Sequence, residues 1–422
     1  MTRLSQLVLV LGVGAFVMGV FAALPCTAEE ATWPVVVFDM DAPRHQPGTF
    51  GSDKQAVGTV EVVPGRVGQA CRFAFVENAR SGFFTAGLGA TPRWDEAAGI
   101  SFWVKGDGSG HWGGVELIDA SDFRLRYGAC FPLDSTEWRK VTVPWCDLIP
   151  ELPAGQPVDP AGGYAPSRFG NLWFGKWYYW GEYPAHAFAV DEVALERDIP
   201  VDTTDYTPPI AGTPRLLARL KARQPVTVVT MGDSLSDKRH WANREVLWSE
   251  LLAQRLRTQF GSEVTLVNPA IGGTQLTQNL VLIPRWLRDH PRPDLVTVWF
   301  GYNDWDGGMR GEHFGRMLRL AVDRIRRMTG GRSEVLLITT CPAVARWDTM
   351  EELAEAVRTV AAEKKTGLAD VSAAFHRAGT DEAARPSLFC RDKTHLGPQG
   401  HRLTAETVLQ AIAGTSGEPG GR

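Results

Sequence analysis

The chain has 422 residues, 44% of them hydrophobic, with 44 Lys plus Arg against 48 Asp plus Glu. That length accommodates two or three hydrophobic cores, and a net charge of −4 argues against a nucleic-acid binder working through a basic surface. Fifteen tryptophans are the one departure from ordinary globular composition, and each brings an N–H that needs a partner when buried.

Arg3 and the apolar run LVLVLGVGAFVMGVFAAL (7–24), followed by CTAEE, have the layout of a secretory signal peptide cleaved after Ala28. The competing reading is a retained membrane anchor, since the run approaches spanning length. The mature chain is expected to be secreted or periplasmic, without stable membrane insertion. Five cysteines then remain, Cys71, Cys130, Cys146, Cys341 and Cys390. Their spacings match no zinc pattern, and their odd number leaves at least one unpaired within the chain.

From Thr32 to Glu196 short strand-like runs alternate with Gly, Pro and Asp. Expected strands are 33–40, 99–107, 114–120, 123–131, 138–145, 171–177 and 187–196. Many short strands with turn signals and no amphipathic helix indicate a β-sandwich. Nine tryptophans fall here: Trp33, Trp94, Trp103, Trp112, Trp138, Trp145, Trp173, Trp177 and Trp180. Each is either core or a flat face for stacking on sugar rings. The segments FDMD, GISFWVKGDGSG, FPLDSTEWRKVTVPWCDL and FAVDEVAL resemble the galactose-binding-like jelly rolls, which include carbohydrate-binding modules. That resemblance implies a glycan ligand, although no motif within it specifies one.

Residues 197–214, rich in Pro, Thr and Asp, read as a linker. RLLARLKAR (215–223) is expected to be a short amphipathic helix opening a second domain, 215–414. Strands at 226–232, 264–270, 294–304, 334–342 and 367–372 then alternate with helices at 243–260, 283–290, 314–329, 349–366 and 398–414. The strands are apolar throughout, as when helices cover both sheet faces. The expectation is a doubly wound parallel α/β domain, followed by a disordered tail at 415–422.

Ligands of such sheets bind outside the carboxyl ends of the strands. The first strand ends in Gly232-Asp233-Ser234-Leu235-Ser236, the second in Asn268-Pro-Ala270-Ile-Gly272-Gly273, the third in Gly301-Tyr302-Asn303-Asp304. The loop before the final helix carries Asp392 and His395. Any one of these has a turn or capping explanation, but together they are the groups acyl transfer requires. A serine hydroxyl needs a contacting base. A carboxylate fixes the tautomer of a histidine base, and the tetrahedral intermediate needs preplaced donors.

These blocks resemble those of the SGNH/GDSL hydrolases over about 225–413. GDSLS carries the family's nucleophile onto Ser234, and Asp392-Lys-Thr-His395 carries its carboxylate and base. Gly273, Asn303 and the Ser234 amide take the oxyanion positions. Ala270 departs from the family's Asn-x-Gly-x-x-Gly at the first glycine. The pattern is not the Gly-x-Ser-x-Gly elbow, because residue 236 is Ser. Asp233 and Trp305 are candidate substrate contacts, Trp305 equally a cap on the core. His240 reads as a surface or substrate-rim residue, and a Cys341–Cys390 disulfide would brace the loop bearing His395.

The resemblance implies a flavodoxin-like hydrolase domain and a serine esterase with no metal or organic cofactor. Its substrate is a small-molecule or polysaccharide ester, with no nucleic-acid partner, and removal of O-acetyl groups from polysaccharide is the reading the sandwich favours. Alternatives are a lipase or thioesterase, an acyltransferase, or a glycan-binding protein whose hydrolase half is inactive.

Overall fold

The computed structural model describes residues 32–41, 46–48, 58–77, 82–152, 155–177, 180 and 184–414. The expected signal peptide, the tail, and Tyr178 and Tyr179 lie outside the described residues.

Two antiparallel sheets form the first half. One runs β3 (Gly58–Pro64), β4 (Gln69–Phe75), β12 (His186–Glu196), β6 (Gly99–Lys105), β9 (Arg139–Pro144), with β1 (Val35–Phe38) also along β12. The other runs β10 (Ile149–Pro150), β8 (Arg126–Pro132), β7 (Trp112–Asp119), β11 (Phe169–Lys176), β5 (Gly82–Gly87), β2 (Gln46–Gly48). Alternate residues point inward, and aromatic rings from the two sheets meet between them. Phe73 of β4 stacks on Phe174 of β11 at 5.5 Å, and Phe102 of β6 meets Phe131 of β8 edge-on at 5.3 Å.

Each of the seven expected strand segments contains a strand. Five more, β2, β3, β4, β5 and β10, lie outside those segments. β3 is a half-exposed edge strand that buries no residue, and its valines are split between its two faces. β5 begins and ends in glycine, which weakens strand propensity.

The second half is a parallel sheet in the order β14 (Val264–Val267), β13 (Val226–Gly232), β15 (Leu295–Trp299), β16 (Glu334–Ile338), β17 (Gly367–Ala369). Successive residues serve opposite faces. Val229 and Met231 pack with α3 (Leu276–Val281), α4 (Ile283–Asp289), α6 (Gly311–Met328) and α7 (Glu351–Glu363). Val226 and Val228 pack with α1 (Pro214–Lys221), α2 (Trp248–Phe260), α8 (Val371–Ala378) and α9 (Pro398–Ala413). A one-residue step along the strand is thus enough to decide which layer a side chain joins. The short α5 (Tyr302–Asp306) follows β15.

The strand expected at 367–372 stops at Ala369, because Asp370 caps α8 by accepting the Ala373 amide at 3.0 Å. The expected loop after β14 contains α3, every residue of which is buried. The reason is tertiary. Trp112, Ile149, Trp177 and Trp180 of the sandwich share one core with α3, α4 and α6. Beyond Thr32 the two halves make a single compact unit, although the sequence reads as two domains on a linker.

Candidate active site

The strand order 2-1-3-4-5 puts its switch point between β13 and β15, where a crevice opens at the carboxyl ends. Ser234 leaves β13 at that point. The Asp233 carbonyl accepts the amides of Ser236 and Asp237 at 3.0 and 2.9 Å, winding the chain into a tight turn. Asn243, fully buried, ties the turn down from outside. Its Nδ2 donates to the carbonyls of Ser234 and Asp237, each at 2.7 Å.

His395 arrives from the loop before α9. That loop is braced by backbone bonds: the Cys390 amide donates to the His395 carbonyl at 2.7 Å, and the Lys393 amide to the Cys390 carbonyl at 2.9 Å. Asp392 turns back on its own loop, Oδ1 accepting the amides of Thr394 and His395 at 3.1 Å each. Its Oδ2 lies 2.6 Å from His395 Nδ1, and His395 Nε2 lies 3.0 Å from Ser234 Oγ. Partial burial pulls the Asp392 carboxyl upward, but the hydrogen bonds from His395 and the two amides outweigh it and hold it below the ordinary carboxylate range. An ionised Asp392 therefore accepts from Nδ1–H and leaves Nε2 as the acceptor facing Ser234.

The loop after β14 carries Gly273, expected to supply an oxyanion donor. Asn268 Nδ2 donates to the Ser236 carbonyl at 2.8 Å, and Asn268 Oδ1 accepts the Ala270 amide at 3.1 Å. Ala270 has ordinary negative φ, so a methyl group is tolerated where the family pattern has glycine. Asp237 accepts the Gly272 amide at 2.9 Å and is itself gripped by Arg239 at 2.9 and 3.1 Å. Gly273 follows with φ +78°, a left-handed conformation that favours glycine. Among the described residues no group accepts the amide of Gly273 or of Ser234. The Asn303 amide is engaged: Nδ2 donates to the Thr274 carbonyl at 3.0 Å and, more loosely, to Asp233 Oδ2 at 3.3 Å. Gly301 before it has φ +144°, and a Cβ there would lie 2.3 Å from Thr340 Oγ1.

Asp233, expected among substrate contacts, is only 1% exposed. Its carboxylate accepts the Leu235 amide at 2.9 Å and backs Asn303, a supporting position behind the site. Burial raises its pKa to about 6. Asp304 is buried beside it. Burial first, and the Asp233 charge after, raise Asp304 to about 7. Trp305 packs against the core while the Arg310 guanidinium lies 3.9 Å over its ring, so it serves as a cap.

One expectation is corrected. Cys341 and Cys390 are both free thiols; Cys341 is buried and Cys390 bonds the Leu396 carbonyl at 3.1 Å, so backbone bonds brace the loop instead. His240 is half-buried beside the site. Its ring stacks on His395 at 4.2 Å, with Trp241 edge-on to His395 at 5.9 Å. Burial, and the neighbouring His395, hold His240 below the ordinary histidine range. Asn243 and Asp237 were also missed. Their only sequence signal is nearness to Ser234, which does not separate a supporting residue from a solvated one.

A cavity of about 390 Å³ opens beside Gly273 and Asn303, lined also by Gln275, Gln278, Asp306 and Gly307, and from the sandwich by Arg126, Glu151, Leu152 and Trp177.

No curated protein matches the chain in sequence. Among solved structures, it is similar to an acetylxylan esterase from Geobacillus stearothermophilus (20% identity, 44% of this chain and 94% of that one, TM-score 0.37). It is similar to a lipase/acylhydrolase from Enterococcus faecalis (21% identity, 45% and 96%, TM-score 0.37). A family 11 carbohydrate-binding module from Clostridium thermocellum, in complex with a β-1,3-1,4-mixed-linked tetrasaccharide, is similar at 15% identity (39% and 95%, TM-score 0.32). Residues 230–403 match the family model of the GDSL-like lipase/acylhydrolases.

Proposed function

We propose that the protein is a serine esterase that removes O-acetyl groups from polysaccharide through an acyl-enzyme. The observation that carries the ester chemistry is the continuous relay from Asp392 through His395 to Ser234, at 2.6 and 3.0 Å. His395 Nε2 takes the Ser234 proton as Oγ attacks the ester carbonyl. Asp392 steadies the imidazolium and stays ionised. The amides of Ser234 and Gly273 and the Asn303 side chain face the developing oxyanion. For Asn303 this means yielding its looser bond to Asp233. His395 returns the proton to the leaving alcohol, and water repeats the sequence to release the acid.

The cavity chemistry favours a sugar ester over a long-chain lipid. Arg126, Glu151, Gln275, Gln278 and Asp306 border it, whereas an acyl chain would need a mostly apolar wall. Export, as the apolar run at 7–24 implies, would bring the chain to a polymeric substrate. The test is acetate release from a panel of acetylated polysaccharides. Ser234→Ala is expected to lower kcat by at least about 10⁴-fold. Undiminished turnover in that variant, or strong preference for long acyl chains in the parent, would overturn the reading.

A further inference from the structure

We infer that the β-sandwich supplies part of the active site itself: Arg126, Glu151 and Trp177 form a subsite for hydroxyl groups of the glycan that carries the ester. The inference rests on the deacetylase reading above and says where the sugar lies.

The first support is position. Arg126 opens β8, Glu151 follows β10, and Trp177 follows β11, so three elements of the second sheet reach one cavity with Gly273 and Asn303. A neighbouring cavity of about 430 Å³ places Trp112 and Trp180 of the sandwich against Asn268 and Ala270. The sandwich therefore flanks the loop carrying Gly273 on both sides.

The second support is rigidity. Thr277 Oγ1 of α3 donates to the Glu151 carbonyl at 3.0 Å, and Arg285 Nη1 of α4 to the Trp180 carbonyl at 3.0 Å. Cys130 of β8 donates to the Val281 carbonyl at 3.1 Å. A binding group held this firmly beside the oxyanion donors can position a substrate, which a module on a flexible tether cannot.

The third support is chemistry. Arg126 brings donors, Glu151 acceptors, and Gln275 and Gln278 both. The mixed signs suit a neutral polyol. A uronate would meet Glu151 and Asp306, and a cation would meet Arg126. Trp177 is 3% exposed and packs on Trp180 at 5.1 Å, so it offers an edge and no stacking platform. Glu116, fully buried behind Glu151, is held well above the ordinary carboxyl range, by burial first and then by Glu151, with Arg126 opposing.

The experiment uses the full chain and a panel of acetylated oligosaccharides from xylan, mannan and pectin. For the member the parent turns over best, the ratio of its kcat/KM to that for 4-nitrophenyl acetate is measured. Arg126→Ala and Glu151→Gln are each expected to lower that ratio by about tenfold or more, mainly through KM. Circular dichroism and thermal midpoint check folding. If Glu151→Gln fails to fold, the partly exposed Arg126 decides alone. An unchanged ratio with a glycan-active parent overturns the subsite and leaves the deacetylase reading standing. A parent that cleaves 4-nitrophenyl acetate and no member of the panel overturns both.

Discussion

Asp304 makes the sharpest case for what a single residue's surroundings do. Read from the sequence, it is the last letter of a family block. In the fold it is fully buried, one oxygen accepting the Leu276 amide at 2.9 Å, beside the buried Asp233. Its carboxyl is raised from 3.8 to about 7, so the folded chain holds this proton more tightly than the unfolded chain. The resulting stability is present in full below pH 3.8 and is lost as pH rises to about 7. Asp304→Asn keeps the acceptor and removes the titration. We expect its thermal midpoint to fall less than the parent's between pH 5 and pH 8; parallel curves would refute the assignment. The same paired burial explains why Asp233 is no substrate contact. Composition shows that both are acidic, and only their enclosure shows that both resist ionisation.

Among the elements, the loop after β14 depends most on partners elsewhere in the chain. Asn268 and Gly273 are legible in its own sequence, but its conformation is held by Asp237, which accepts the Gly272 amide and is clamped by Arg239. Arg239 also donates to the Ala270 carbonyl at 3.1 Å. Asp237→Ala removes the acceptor and frees the guanidinium. We expect kcat on a small acetate ester to fall about 10- to 100-fold, the scale of a misplaced oxyanion donor, with a smaller change in KM. A kcat within twofold of the parent would show that the loop holds its shape unaided. The strands and long helices were legible because period and apolar content are local properties. α3 was not: its six residues are all buried, so no polar face marks a helical period. Nor was β3, an edge strand whose valines are split between two half-exposed faces.

For the whole molecule, the question is what joins sandwich to hydrolase. Arg324, 4% exposed on α6, and Arg327 both bond Asp147, which lies two residues before β10. Asp147→Ala leaves a buried guanidinium without its carboxylate. The expected cost is about 2–3 kcal/mol, at the lower end for a broken buried pair because Asp147 is itself partly exposed. Denaturant unfolding measures it, and a loss below about 0.5 kcal/mol would mean the pair is screened as on an open surface. The tryptophans belong to the same junction. Read locally, each was core or sugar platform. Trp112, Trp177 and Trp180 are core, but of a core shared by both halves.

The reading from residue types and spacing extends to the fold class of each half, the strand-end position of Ser234, and the pairing of Asp392 with His395. These are encoded over a few neighbouring residues, where periodicity, turn chemistry and a three-residue gap leave few alternatives. The stacking of His240 on His395, the free state of Cys341 and Cys390, and the meeting of Arg126 and Glu151 with Gly273 had to await the folded chain. Each joins side chains far apart in sequence or in orientation. A buried apolar surface states that it must be covered, and burial is non-directional, so which segment covers it is settled by how the layers pack.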